Sequence, residues 1–258
     1  MSAHLAEPTE PTEPTGPAHT PRRDDCPWCG SKRLRTLLPL TECHDCAHAF
    51  QNPCPASPGR PPYRPGRRDL RATARAMLPF PEPESWLDIG TGDAAFPAAA
   101  KELFPYTAFD GVDPASRLEK ALAAGHLEEA YTGDPTNPHL AARLRARYDV
   151  VSVLHHLSHT TDPRELLKAA LAALRPGGHL LLELPDPHSR PARLLGRWWQ
   201  PRPQPRHAHL LPLENLRAEL HSRSCTVVRT TQHIRYPLLR HTAFAGTYRV
   251  IARKEGTA

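Results

Sequence analysis

The sequence predicts an α/β fold built on a doubly wound, mostly parallel seven-stranded sheet, preceded by a small cysteine-bearing module. Three observations carry this prediction. From Ser85 onward, short apolar runs alternate with stretches of helical periodicity, the pattern of strands covered by crossover helices. A glycine-bearing turn, "DIGTGDA" from Asp88 to Ala94, follows the first apolar run, where open α/β sheets hold their ligands. Four cysteines near the start fall into two C-x2-C pairs.

The elements follow in order along the 258 residues, a length that suits one α/β domain with an extension. Residues 1–22 contain "EPTEPTEPT" and almost nothing apolar, so a disordered tail is expected there. Residues 23–55 form the cysteine module, residues 56–66 a semi-rigid linker rich in proline and glycine, and residues 67–258 the main domain. "RRDLRATARAMLPF" reads as a helix leading into that domain. Strands are expected at Trp86–Ile89, Ala108–Val112, Glu129–Thr132, Asp149–Leu154 and His179–Leu184. Helices are expected at Asp93–Leu103, Ala115–Ala124, Pro138–Arg147 and Pro163–Leu174.

The helix at Pro163 has the clearest start: Asp162 as N-cap, proline at the first helical position and Glu165 completing a capping box. "RPGG", Arg175 to Gly178, marks its end. Beyond Pro185 the pattern is irregular until a helix near Leu213–Ser222 and two neighbouring strands, Thr226–Ile234 and Thr247–Arg253. The chain's 31 prolines crowd the first 82 positions and the stretch from Arg190 to Arg206, so the core is expected mostly between Ser85 and Pro185.

Charge and composition narrow the classes. A net charge of +6 raises the thought of nucleic acid, but the 28 arginines and 5 lysines are scattered rather than clustered. No apolar run approaches the roughly 18 to 20 residues that span a bilayer, and no leader-like segment opens the chain, so a cytoplasmic, membrane-free protein is expected. Cysteines in such a compartment serve as thiols and metal ligands rather than as disulfides.

Gly90, Gly92 and Ala95 fit the G-x-G-x-x-G/A fingerprint of dinucleotide sites, yet Asp88 stands two residues ahead of the first glycine. A pyrophosphate wants bare N–H groups, and a carboxylate in the same crevice repels it. A cofactor carrying sulfonium and ammonium groups is favoured by the same acid. At this point the chain resembles the class I S-adenosylmethionine-dependent methyltransferases, whose fold is Rossmann-like and whose first motif reads D/E-x-G-x-G-x-G. Here Asp88, Gly90 and Gly92 match, with Ala94 in place of the third glycine.

The resemblance implies that Asp113 in "FDGVDPASRLEKA" holds the ribose hydroxyls and that Asp134 in "YTGDPTNP" contacts the adenine amino group. It implies that "YDVVSVLHHLSH" is the fourth strand and the loop facing the transferred methyl, with Leu154 on the cofactor side. "LRPGGHLLLELPDP" matches the next turn and strand.

Methyl transfer needs the nucleophile aligned and, where protonated, relieved of its proton, a task suited to histidine. His155 and His156, just past the fourth strand, lead as candidates, with His156 placed first; a structural role beside the cofactor is the alternative. "GRWWQPRPQPRHAHL" resembles the segment that caps the acceptor pocket in this fold, and offers Trp198, Trp199, His207 and His209. The N/D-P-P-Y/F/W motif of amino-methylating DNA and glutamine enzymes is replaced by "LHHL", and the nucleophilic cysteine of RNA cytosine C5 methylation is missing.

Cys26, Cys29, Cys43 and Cys46 stand in C-x2-C-x13-C-x2-C, the spacing of a zinc ribbon holding a structural Zn2+. His44 and His48 are spare imidazoles beside the ligands, and Cys54 and Cys225 read as ordinary thiols. A ribbon ahead of this domain resembles two groups: bacterial methyltransferases of sugars and natural-product intermediates, which "CPWCG", "CAHAFQNP" and "PRHAHLLPLENLRAEL" look nearer to, and ribosomal-RNA guanine methyltransferases. The expected function is methyl transfer to a small-molecule acceptor of natural-product or sugar type. An RNA methyltransferase whose ribbon grips nucleic acid and a non-catalytic binding scaffold remain as alternatives.

Overall fold

The computed structural model describes residues 19–37, 40–55, 65–114, 118–188, 207–234 and 246–256. Trp198, Trp199, most of the Pro/Thr/Glu tail and most of the linker fall outside these ranges. A three-strand antiparallel unit comes first: β1 (Leu34–Leu37), β2 (Leu40–Cys43) and β3 (Ala49–Phe50). After α1 (Arg67–Arg75), strands and helices alternate: β4 (Ser85–Ile89), α2 (Ala95–Ala100), β5 (Ala108–Asp113), α3 (Leu118–Ala123), β6 (Glu129–Thr132), α4 (Pro138–Leu144) and β7 (Tyr148–Leu154). A short 3-10 turn (His156–His159), α5 (Pro163–Ala173), β8 (Leu174–Pro185), β9 (His209–Leu210), α6 (Leu213–Ser222), β10 (Cys225–Ile234) and β11 (Gly246–Lys254) complete the described chain.

The seven-stranded sheet runs β10-β11-β8-β7-β4-β5-β6, parallel except that β11 is antiparallel to both its neighbours. This is the doubly wound, Rossmann-like arrangement expected. Strand order reverses between β4 and β7, so the crevice beyond their carboxyl ends is where a ligand belongs. The period-2 pleat sorts the side chains: Leu87, Ile89, Val151, Val153, Leu180 and Leu182 pack on one face, and Trp86, Phe109, Val150, Leu181 and Ile251 on the other. Trp86 is fully buried against Phe96, Phe104 and Phe109, and its indole N–H donates to Ser152 Oγ at 3.0 Å.

Local chemistry explains the helix ends. Asp162 Oδ1 accepts from the amides of Arg164 and Glu165, both at 3.0 Å, and Asn137 caps α4 through the amide of His139. "RPGG" does not extend the helix to its own boundary. Leu174 already pairs with Tyr148, and residues 175–178 bulge out, with Gly177 at φ 82°, before His179 rejoins beside Val150.

The core reaches further than the expected span from Ser85 to Pro185. Leu211, Leu216, Leu220, Tyr248 and Val250 join one buried cluster with Cys26, Trp28 and Cys43 of the cysteine module. The module's sheet is completed by the main domain: β9 pairs with β3, Phe50 opposite His209 and Ala49 opposite Leu210. No helix among the described residues is long and apolar enough to cross a membrane.

Candidate active site and metal centre

At the end of β4 the chain turns through three left-handed residues, Gly90 (φ 76°), Gly92 (φ 63°) and Ala94 (φ 55°). The turn is tied to β5: Gly90 N–H and Thr91 N–H donate to Val112 O, and Gly92 N–H donates to Asp113 Oδ2 at 2.9 Å. Ala94 occupies the third glycine's place at a cost of about 1–2 kcal/mol for its left-handed backbone. Beneath the turn lies Asp88, 3% exposed, whose Oδ1 accepts from Ser152 Oγ at 2.5 Å. Burial pushes its pKa up to about 7, reinforced by the charge of Asp113 and opposed by the Ser152 hydrogen bond.

Glycine at position 90 is a steric requirement as well as a conformational one. A Cβ there would lie 2.4 Å from Cγ of His156, whose ring closes over the turn. Burial lowers the pKa of His156, while the charges of Asp113 and Asp134 pull it the other way. Asp134 stands exposed at the end of β6, its Oδ1 accepting from the amide and hydroxyl of Thr136 at 2.8 and 2.7 Å. Leu154 sits half-buried at the end of β7. The glycine turn, Asp113 and Asp134 stand at the carboxyl ends of the adjacent parallel strands β4, β5 and β6, the edge where open sheets hold ligands, and the carboxylates there suit a cofactor with cationic groups and a ribose.

His155 takes a different direction from its neighbour. Its backbone is left-handed (φ 60°), its N–H donates to Glu183 O, and its Nε2 lies 3.2 Å from Glu183 Oε1. Glu183 Oε2 in turn accepts from Arg249 at 2.8 and 3.1 Å, and Arg249 Nη2 also donates to Thr73 Oγ1 at 2.7 Å. Burial pushes the Glu183 carboxyl up, but His155 and Arg249 outweigh it and hold the pKa near 2. Glu183, Arg249, Thr73 and Ser152 escaped the sequence reading. The available signal was an acid inside the apolar run "LLLELP", with an arginine in register on the partner strand.

The remaining histidines divide between two places. His159 is 4% exposed with neither ring nitrogen hydrogen-bonded among the described residues, and its ring packs on His207 at 4.7 Å between centroids. Burial and the neighbouring histidines push its pKa down to about 3. His209 turns into the cysteine module instead. Its Nδ1 lies 3.2 Å from His48 Nε2, and burial pushes its pKa down to about 4.

The four module cysteines converge, their sulfurs all within 4.8 Å of one another. Cys26 and Cys46 are 3.7 Å apart, and Cys29 and Cys43 3.6 Å. A tetrahedral Zn2+ with Zn–S bonds of about 2.3 Å needs S–S edges of about 3.8 Å, so the residues fit the ion. Burial pushes the Cys26 thiol up to about 11 and raises that of Cys46, so holding these two as thiolates calls for a neighbouring cation. Each pair rides a tight turn, closed by Gly30 N–H to Cys26 O and Ala47 N–H to Cys43 O. His48 is fully buried beside the cluster, its Nδ1 3.7 Å from Cys26 Sγ, whereas His44 is exposed.

Comparison with known proteins adds three kinds of finding. A family model described as a methyltransferase domain matches residues 63–230. A curated ubiquinone biosynthesis O-methyltransferase of Cronobacter sakazakii is 35% identical over 98 residues, 36% of this chain and 39% of that protein, so the likeness spans well under half of the relative. Among solved structures, an S-adenosylmethionine-dependent methyltransferase of Archaeoglobus fulgidus superposes with a TM-score of 0.55 at 17% identity, over 74% of this chain and 96% of the other. The N-methyltransferase NodS of Bradyrhizobium japonicum, bound to S-adenosylhomocysteine, gives 0.51 at 18% identity over 73% and 86%. The magnesium protoporphyrin IX methyltransferase of Synechocystis, also with S-adenosylhomocysteine, gives 0.54 at 16% identity over 73% and 83%. At these identities the structures speak for the fold alone.

Proposed function

This chain belongs to the class I S-adenosylmethionine-dependent methyltransferases, and from that premise we propose that it methylates a small-molecule acceptor of natural-product or sugar type. The observation that carries the proposal is the glycine turn with His156 packed over it, and Asp113 and Asp134 at the neighbouring strand ends, beside the half-buried His155 on buried Glu183. The cofactor, when bound, supplies an electrophilic methyl group on a sulfonium. Gly90 and Gly92 leave room for it, Asp113 takes the ribose hydroxyls, Asp134 the adenine amino group, and Leu154 covers the apolar side. Asp88 supplies negative charge beneath the turn.

His155 is the base in this reading. Its Nε2–H donates to Glu183, which fixes the tautomer whose Nδ1 takes the acceptor's proton. Arg249 and Thr73 hold Glu183 ionised and in place. His156 shapes the cofactor crevice through its packing over Gly90. His207 borders the acceptor side, while Cys26, Cys29, Cys43 and Cys46 hold a structural Zn2+.

The deciding experiment offers methyl-labelled S-adenosylmethionine and purified protein separately to a small-molecule extract and to total RNA. Label in the small-molecule pool, lost in His155→Ala and retained in part by His156→Ala, is the expected result. Label confined to RNA overturns the acceptor class. A protein that fails to bind S-adenosylhomocysteine by calorimetry overturns the enzyme reading.

A further inference from the structure

We propose that the metal-loaded ribbon is a clamp on the acceptor side of the site, with His48 as its positioning residue. The route is continuous. His48 stands between Cys26 and His209, Nδ1 3.7 Å from the sulfur and Nε2 3.2 Å from His209 Nδ1, its ring stacked on that of His209. When Cys26 is a metal-bound thiolate it accepts from His48 Nδ1–H, so His48 Nε2 accepts from His209 Nδ1–H. His209 is thereby fixed within β9, which β3 pairs with directly, and Gln51 adds two hydrogen bonds: its N–H to Ala208 O at 2.9 Å and its Nε2 to His207 O at 3.2 Å.

The same segment holds the histidine turn. Ala208 N–H donates to Ser158 O at 2.8 Å, and His207 packs on the ring of His159, whose nitrogens have no hydrogen-bond partner among the described residues. Cys26 therefore connects to the turn carrying His159 through two imidazoles, His48 and His209, and the backbone of residues 207–209. Two further ties seat the ribbon on the helices behind: Arg164 donates to Trp28 O at 2.9 Å and Asn215 to Cys46 O at 2.7 Å. The glycine turn is secured separately, by Val112 and Asp113 of β5. Loss of the metal frees the acceptor side and spares the cofactor side, and none of these contacts depends on methyl transfer having occurred.

The test uses the full chain, zinc-loaded with its metal content measured, after chelation, and as His48→Phe and His48→Gln. Amide hydrogen exchange and S-adenosylhomocysteine calorimetry are the readouts. Chelation and His48→Phe are expected to speed exchange about tenfold or more at residues 155–161 and 207–211, with exchange in β4 and β5 and affinity for S-adenosylhomocysteine held within about twofold. His48→Gln, whose amide still reaches His209, keeps most of the protection. Unchanged exchange at 155–161 after chelation overturns the proposal. So does a purified chain that holds no metal, and so does a uniform rise that includes β4 and β5 and abolishes S-adenosylhomocysteine binding, because that outcome is global unfolding rather than release of a clamp.

Discussion

Asp88 has Ser152 Oγ on its carboxylate and almost no water, and in the free protein its pKa stands near 7. Its folded pKa lies above the unfolded value of 3.8, so its contribution to stability is complete below about pH 4 and is lost as pH rises through about 7. A cationic cofactor favours the carboxylate and lowers that pKa. Binding is therefore expected to release a proton below about pH 7, and affinity to climb with pH up to that point. Calorimetry of S-adenosylmethionine binding in two buffers of unequal ionisation enthalpy reads this directly. Asp88→Asn keeps the Ser152 hydrogen bond but is expected to lose the proton release and weaken binding on the order of tenfold. Gly90→Ala faces two obstacles, a left-handed backbone costing about 1–3 kcal/mol and a Cβ 2.4 Å from His156 Cγ, so cofactor affinity should fall below detection in the same calorimeter. The glycines and Asp88 were legible because the motif is contiguous. Ser152 was not, because its role depends on β7 lying beside β4, a pairing that lies 64 residues away along the chain.

The β8–β11 pair shows what a single strand can and cannot reveal. "LLLELP" announces a buried strand, and an acid within it is conspicuous, but only antiparallel pairing with β11 puts Arg249 opposite Glu183. The pairing has a stability consequence with a definite sign. The folded pKa of Glu183, near 2, lies below the unfolded 4.5, so its stabilisation is present above about pH 4.5 and is lost as pH falls toward 2. Glu183→Gln leaves Arg249 buried without its counter-charge, and a loss on the order of 3 kcal/mol is expected at neutral pH. Urea unfolding between pH 7 and 3 checks this: the wild-type stability should fall across the acid range more steeply than the variant's. Nitrogen-15 spectra of the same variant should show His155 no longer held to one tautomer. The N-cap of α5 was legible for the opposite reason, since Asp162, Arg164 and Glu165 are neighbours in sequence. The two-residue β9 left no periodicity to read, and its existence depends on β3 being there to pair with it.

The chain as a whole reads in sequence as a ribbon, a linker and a catalytic domain, and the alternation of strands and helices was enough to predict the sheet. Composition placed a boundary at the proline-rich linker, because prolines interrupt regular structure wherever they lie and say nothing of what packs across them. The packing ignores that boundary. Trp28 carries the Arg164 guanidinium over its ring at 5.8 Å, Arg164 pairs with Glu219 at 2.9 Å, and Cys26 and Cys43 share one buried cluster with Leu211, Leu216 and Leu220. A ribbon joined in this way should melt with the sheet. Scanning calorimetry of the zinc-loaded chain is expected to show one transition, whereas two well-separated transitions would make the ribbon an independent unit. Deleting residues 1–55 uncovers that apolar face and removes a strand from β9. With about 3 kcal/mol of burial lost, and each kcal/mol worth roughly 2–4 °C at this size, the Tm should fall by about 10 °C. A truncated protein that melts where the full chain does would show that the shared core carries no stability, and that the ribbon merely rests on the domain that follows it.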